Sequence, residues 1–301
     1  MNPYSLLICT RDRPEQLVRA VRSLLRAPEP FELLVIDQSD SGGTKAAIAP
    51  LQSDARLRYL HSAVRGKGAA LNQGLHLAKH ALLVCTDDDC EAEARWAGAM
   101  ATALEAAPDV AVLFCEVAAV PHDHGKGFVP AFGIAQSRTI RTVSGLWPRP
   151  GLGAGMAVRR DAVLAIGGFD ETMGPGSLFP SCDDWDIAVR AVLCGYQVRE
   201  LKGLAILHHG FRTFEEGRAH AWRDWFALGA VCAKPLRARR FSALPIAVKT
   251  FWHYAIWPPV SEALHLKKPR GLTRISAFLS GFAQGIRTPV EPKTLVFEPR
   301  K

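Results

Sequence analysis

The 301-residue sequence has no apolar run of the roughly 18 to 20 residues that span a bilayer. The nearest approach, Phe241 to Trp257, contains Lys249 and His253 and runs into Pro258 and Pro259. An integral membrane protein is therefore not expected. No signal peptide is expected either, since Ser5-Leu6-Leu7-Ile8-Cys9 is short and soon meets Arg11. The seven cysteines include no CxxC pair, are odd in number and sit mostly in apolar runs, which argues against a disulfide frame or a zinc site. Reduced core thiols of a cytoplasmic protein are expected instead. Neither GxGxxG nor GxxxxGK[ST] occurs after the first apolar run, so the usual dinucleotide and P-loop sites are not expected.

What is present is enough apolar content, 48%, for a large core, and an uneven charge. Residues 1–198 carry 19 basic against 22 acidic side chains, whereas residues 199–301 carry 18 against 7. The net charge of +8 thus belongs to the C-terminal third. There Trp222, Trp225, Phe226, Phe251, Trp252, Tyr254 and Trp257 are interleaved with Arg237, Arg239, Arg240, Lys249, Lys267, Lys268 and Arg270. Aromatic and basic residues together suit an interfacial helix on an anionic membrane surface. Ordinary helix packing and a solvated basic face are the plain alternatives. A nucleic-acid-binding protein is a third reading of the charge, but no recognised nucleic-acid motif accompanies it.

The first half alternates apolar runs with amphipathic segments. Strands are expected at Tyr4 to Thr10, Phe31 to Ile36, Leu57 to Leu60, Leu82 to Thr86 and Val110 to Phe114. Helices are expected from Pro14, from Lys67 to Lys79 and from about Glu91 to Glu105. Such βαβα order implies a mainly parallel sheet with helices on both faces, and ligands then bind beyond the carboxyl ends of its strands. Three of those ends carry polar residues, Thr10-Arg11, Asp37 and Asp87-Asp88-Asp89, and all three should face one crevice. Three adjacent carboxylates repel one another and need open water or a cation, unless they merely start the next helix.

Further on, His122-Asp123-His124 has metal-ligand residue types but sits among loop formers, and Gly151-Leu-Gly-Ala-Gly155 suits close backbone approach. Asp183-Asp184 reads either as a helix cap or as a general base whose neighbour raises its pKa. Leu201 to Leu207 is expected to be a strand pair ending at His208-His209, either structural or ligating.

The order of these motifs resembles the GT-A fold glycosyltransferases of family 2, bacterial inverting nucleotide-sugar transferases. The matching stretches are Ile8-Cys9-Thr10-Arg11-Asp12-Arg13-Pro14, Val35-Ile36-Asp37-Gln38-Ser39, Gly66-Lys67-Gly68-Ala69-Ala70-Leu71-Asn72-Gln73-Gly74 and Asp87-Asp88-Asp89. After them come Gly155-Met156-Ala157-Val158-Arg159-Arg160-Asp161, Gly167-Gly168-Phe169-Asp170-Glu171 and Asp183-Asp184. The match covers about residues 4 to 210, and the tail Phe278 to Gly285 looks like the ending of some bacterial members.

The resemblance implies a GT-A domain over residues 1–210 and a helical, basic C-terminal region over 211–301. It implies a nucleotide-diphosphate sugar donor, by family habit UDP, and a glycan or lipid-linked acceptor. Thr10, Arg11 and Asp37 would frame base and ribose, Lys67 would approach the diphosphate, and Asp87 and Asp88 would bind donor. Mn²⁺ or Mg²⁺ would be held by Asp89 in an Asp87-x-Asp89 pattern, although Asp88 is an alternative register. His208 or His209 would add a ligand. Asp184 would be the base, and Gly155, Asp183 and Trp185 would shape the acceptor side. The family often has Glu-Asp where this chain has Asp183-Asp184. A catalytically silent member that binds nucleotide sugar or a partner is the competing reading, as is the nucleic-acid binder. The enzyme would be cytoplasmic, either free or peripheral on the inner face of the cytoplasmic membrane.

Overall fold

The structure, a computed structural model, describes residues 2–265 and 271–298; Lys267, Lys268 and Arg270 lie outside the described residues. The strands are β1 Tyr4–Thr10, β2 Phe31–Asp37, β3 Leu57–His61, β4 Leu82–Asp87, β5 Cys90–Glu91, β6 Val110–Ala119, β7 Gly127–Phe128, β8 Arg138–Ile140, β9 Met156–Arg159, β10 Gln197–His208 and β11 Arg212–Thr213. The α-helices are α1 Pro14–Leu24, α2 Gly43–Ile48, α3 Lys67–Leu77, α4 Trp96–Glu105, α5 Arg160–Ala165, α6 Asp183–Leu193, α7 Phe214–Arg237, α8 Leu244–Thr250, α9 Trp257–Leu264 and α10 Thr273–Arg287.

The main sheet runs β3-β2-β1-β4-β9-β6-β10-β5, with β8 on β10. The strands β3, β2, β1 and β4 are parallel, as the alternating pattern requires. The sheet is mixed because β9 lies antiparallel between β4 and β6. Strands β2 and β4 are buried along almost their whole length, which is why their apolar stretches, Leu33–Ile36 and Leu82–Cys85, read as continuous runs. Apolar side chains fill the space on either side of the sheet, Leu7, Leu34 and Phe114 on one side and Leu6, Val35 and Leu113 on the other.

Two expectations need correction. The helix expected from about Glu91 begins only at Trp96. Between β4 and that helix the chain instead forms a turn at 88–89, then β5, whose Cys90 pairs with His208, and a second turn at 94–95. The acid triplet is therefore not a helix cap. In place of the expected strand pair there is one long strand, β10, with an irregular register between Leu201 and Ala205, where Gly203 takes φ +84°. The bulge absorbs extra residues without turning the chain back.

The C-terminal region is helical. It shares the main core: Ala227, Leu228, Val231 and Cys232 of α7 are buried in the same cluster as Trp185 and Phe179. Helix α10 lies against α7 at glycine contacts so close that a Cβ at Gly281 would meet the Phe226 carbonyl oxygen. Among the described residues no helix is long and apolar enough to cross a membrane. All seven cysteines are free, and five are buried.

Candidate active site

The carboxyl ends of β1, β2 and β4 open on a cavity of about 610 Å³, lined among others by Thr10, Arg11, Lys67, Asp87, Asp88, Asp89, Asp184 and His208. The acid triplet and Asp184 thus line one space, although 97 positions separate Asp87 from Asp184 in the chain.

The three acids have three different partners. Asp87, the last residue of β4, accepts from Lys67 Nζ at 2.6 Å. Burial would lower the lysine's pKa, but the Asp87 and Asp183 carboxylates hold it well above its usual value. Asp88 is buried, accepts from Thr10 Oγ1 at 2.7 Å and from Arg13 Nη1 at 3.1 Å, and so ties the turn to β1. Burial pushes its pKa up to about 6 despite that arginine. Asp89 reaches Arg13 at 3.3 Å and pairs with His208 Nε2 at 3.2 Å. Burial opposes ionisation of Asp89, but the bond to His208 outweighs it and lowers its pKa. Burial alone would lower His208, yet its bond to Asp89 raises it.

The donor set around Asp89 suits a divalent cation. Asp89, Cys90 and His208 offer ligand atoms within 4.8 Å of one another. Burial pushes the Cys90 thiol well above its ordinary pKa, and as a soft sulfur ligand it does not match an oxygen-preferring cation, so Asp89 with His208 form the better-suited pair. Gly210 leaves the space over that pair open: a Cβ there would stand 2.7 Å from His208 Nε2 and 2.8 Å from Asp89 Oδ2. One carboxylate and one imidazole leave further positions for ligand oxygens and water, as a small oxygen-preferring cation requires. His208 Nδ1 lies 2.8 Å from the Pro130 carbonyl, which orients the ring with Nε2 toward Asp89.

Asp183 and Asp184 open α6, and the residue before them, Cys182, takes the left-handed conformation with φ 64°. Asp184 is half-buried; its Oδ2 accepts from Gly153 N at 3.0 Å and its Oδ1 from Trp185 N at 2.7 Å. Asp183 is buried with its Oδ2 3.9 Å from Lys67 Nζ. Burial, with Asp184 and Asp87 nearby, pushes Asp183 up to about 6 against the pull of Lys67.

Five expected site residues lie away from the cavity lining, the buried Asp183 among them. Asp37 is fully buried because Ser39 and the Tyr59 hydroxyl, at 2.6 Å, turn its carboxylate inward; its neighbour Gln38 faces the cavity instead. His209 points toward Glu91, 3.3 Å away, on the other side of the strand from His208. Trp185 is packed in the core with an unpaired indole N–H. Gly155 is buried against β6, where a Cβ would meet Cys115 Sγ at 2.8 Å; its neighbours Leu152, Gly153 and Ala154 line the cavity. His122 and His124 have rings 4.1 Å apart on the β6–β7 loop and belong to no metal-type group among the described residues.

Arg13, Gln38, Arg212, Glu216, His220 and Arg223 line the cavity and were not expected there. The last three sit at i, i+4 and i+7 on one face of α7. Thr213 caps that helix, accepting from Glu216 N at 3.1 Å, while the Glu216 side chain bonds back to Thr213 N. The Thr-x-x-Glu signature marks this helix start, and with it the face, in the bare sequence.

Residues 5–165 match the model of glycosyl transferase family 2. The chain belongs to glycosyltransferase family 2. None of the curated proteins matches it. Among solved structures it is similar to the mannosyltransferase PcManGT from Pyrobaculum calidifontis, in complex with GDP-Man and Mn²⁺, at 20% identity and TM-score 0.62, covering 94% of this chain and 86% of that one. It is also similar to S. aureus TarS 1-349, at 13% identity and TM-score 0.62, covering 95% of this chain and 82% of that one. A longer TarS structure is covered over half its length. These likenesses establish the fold, a GT-A type α/β sheet with a helical C-terminal region, and the family makes the chain a glycosyltransferase.

Proposed function

We propose that this glycosyltransferase moves a sugar from a nucleotide-diphosphate donor to an acceptor hydroxyl with inversion, using a divalent cation. The observation that carries the proposal is the shared cavity, whose lining includes Asp89 and His208, paired at 3.2 Å, together with Asp184. Asp89 and His208 would hold Mn²⁺ or Mg²⁺, which when bound neutralises charge on the departing diphosphate. The remaining chemistry belongs to side chains. Lys67 lies beside Asp87 and supplies a positive charge to the same diphosphate. Thr10, Arg11 and Gln38 lie at the ends of β1 and β2, where base and ribose would sit. Asp184 takes the proton of the acceptor hydroxyl; that oxygen bonds to the anomeric carbon as the bond to the diphosphate oxygen breaks on the opposite face.

UDP is the donor base favoured by family habit, while the GDP-Man bound to the Pyrobaculum neighbour keeps GDP in contention. The acceptor is a glycan or a lipid-linked sugar, and the basic C-terminal region would hold the enzyme to the inner face of the cytoplasmic membrane. A donor-hydrolysis screen across nucleotide sugars, with and without Mn²⁺, tests the reading. Turnover of at least one donor is expected only with the cation. No hydrolysis and no thermal stabilisation by any nucleotide would overturn it.

Replacing His208 by Ala removes one of two protein ligands, so Mn²⁺ affinity is expected to fall roughly 10- to 100-fold. Titration calorimetry in the presence of nucleoside diphosphate measures it, and an unchanged affinity would remove His208 from the site. The Asp183–Asp184 pair also fixes a pH dependence. Because the charged pair is the working form and Asp183 is held up near 6, the rate is expected to fall as pH drops through about 6. A rate–pH profile flat down to pH 5 would contradict it.

A further inference from the structure

We infer that one helical stripe, running from Phe241 to Leu264, is the face by which this protein sits on an anionic lipid bilayer. This deepens the peripheral-membrane part of the reading above and rests on it, but not on the chemistry of the cavity.

The stripe is inverted relative to an ordinary surface helix. On α8 the buried positions are Ile246, Ala247 and Thr250, whereas Leu244 and Val248 are exposed, the latter by 58%. Farther along, Trp252, Trp257, Val260 and Leu264 are exposed too, Leu264 by 70%. The spacings are four, four, five, three and four residues from Leu244 onward. The step of five crosses Phe251–Ile256, a π-helical turn. A wider turn holds one residue more than an α-turn, so the extra residue keeps Trp257 on the same side as Trp252. Their rings lie 6.5 Å apart. The backbone irregularity thus extends one apolar face across two α-helices where a regular helix would rotate it away.

Charge selects the occupant. From Arg237 to Arg274 the sequence has eight Lys and Arg and one acid, Glu262. Arg237, Arg239, Arg240 and Lys249 are exposed, Lys249 on α8 itself and the three arginines in the few residues before it in the chain. A second copy docking through the same patch would set these cations against their own equivalents, because a two-fold interface is self-facing. Anionic headgroups would neutralise them while Trp, Leu and Val enter the acyl boundary, and Trp suits that depth.

The test is cosedimentation of the full chain with phosphatidylcholine vesicles, with and without phosphatidylglycerol, at moderate salt. Partitioning onto the anionic vesicles is expected to exceed that onto neutral ones by at least about tenfold. The double variant Val248→Glu/Leu264→Glu places charge on the stripe without touching buried positions. Its partitioning should fall by about tenfold or more, with melting temperature and donor hydrolysis unchanged. Wild-type protein left in the supernatant with both vesicles would overturn the inference. So would a variant that partitions like the wild type, or a dimer in sedimentation velocity that the variant dissolves. Absence of donor hydrolysis in the wild type would count against the transferase reading alone, since partitioning is read without it.

Discussion

Asp184→Asn is expected to lower sugar transfer by roughly 10²- to 10⁴-fold while leaving nucleotide and Mn²⁺ binding in place. The substitution is nearly isosteric. An amide keeps one oxygen, so the bond from either Trp185 N or Gly153 N can persist and the start of α6 is held. What it removes is the ability to accept a proton, which a carboxylate has and an amide lacks. Asp183→Asn is the control: Asp183 is buried behind Asp184 and closer to Lys67, so its loss should disturb donor binding and the acid limb near pH 6 more than the proton transfer. Single-turnover transfer with saturating donor separates the two, because it reads chemistry apart from binding. Transfer by Asp184→Asn at the wild-type rate would remove Asp184 as the base. Wild-type protein that binds nucleotide yet never turns over would instead mark a silent member of the family.

How far the sequence led depended on whether a residue's fate is set by its neighbours in the chain or by distant ones. Strands β1, β2 and β4 and the helix opening at Pro14 were legible because burial on both faces, or on one stripe, writes a local pattern. Their ends were legible for the same reason, and Thr10, Lys67, the acid triplet and Asp184 do meet at one cavity. Asp37 was misplaced because its direction is decided by Tyr59, a strand away, which donates to it. His208 and His209 were indistinguishable as a pair. Only the β5–β10 pairing shows which of two alternating side chains turns toward Asp89. The late start of α4 has the same origin, since β5 forms by pairing with a strand more than a hundred residues onward.

Lys234 is the extreme case of distant control, and its replacement by Met is expected to cost about 3–5 kcal/mol of stability. In sequence it is one more cation of a basic region. In the structure its side chain is 1% exposed, 2.6 Å from Asp170 Oδ2 and also bonded to Asp186. Asp186 is shared with Arg190 at 2.8 Å, and Asp170 Oδ2 also accepts from Phe297 N at 2.8 Å. Two buried cations thus balance two buried carboxylates, joining α7, α6, the loop before it and the C-terminal segment. Removing the ammonium leaves Asp170 charged and buried, at a cost that better apolar packing by Met cannot offset. For a chain of this size the loss corresponds to a fall in Tm of roughly 10 °C.

The pH dependence of that loss distinguishes a charge effect from a packing defect. Burial would raise Asp170, but Lys234 outweighs it and holds the acid below its usual range. A carboxylate depressed in the folded state stabilises at pH above its unfolded value, near 4, and that contribution disappears as pH falls through the folded value. Without Lys234 the folded value rises, so protonation relieves the variant at a pH where the wild type still depends on its ion pair. The stability gap between the two should therefore narrow on acidification from pH 7 to below about 4. A gap that stays constant over this range would mean that the ammonium contributes by shape alone. Because α6 begins at Asp183 and is held at its second turn by the Asp186–Arg190–Lys234 group, the variant should also transfer sugar more slowly at temperatures well below its melting point.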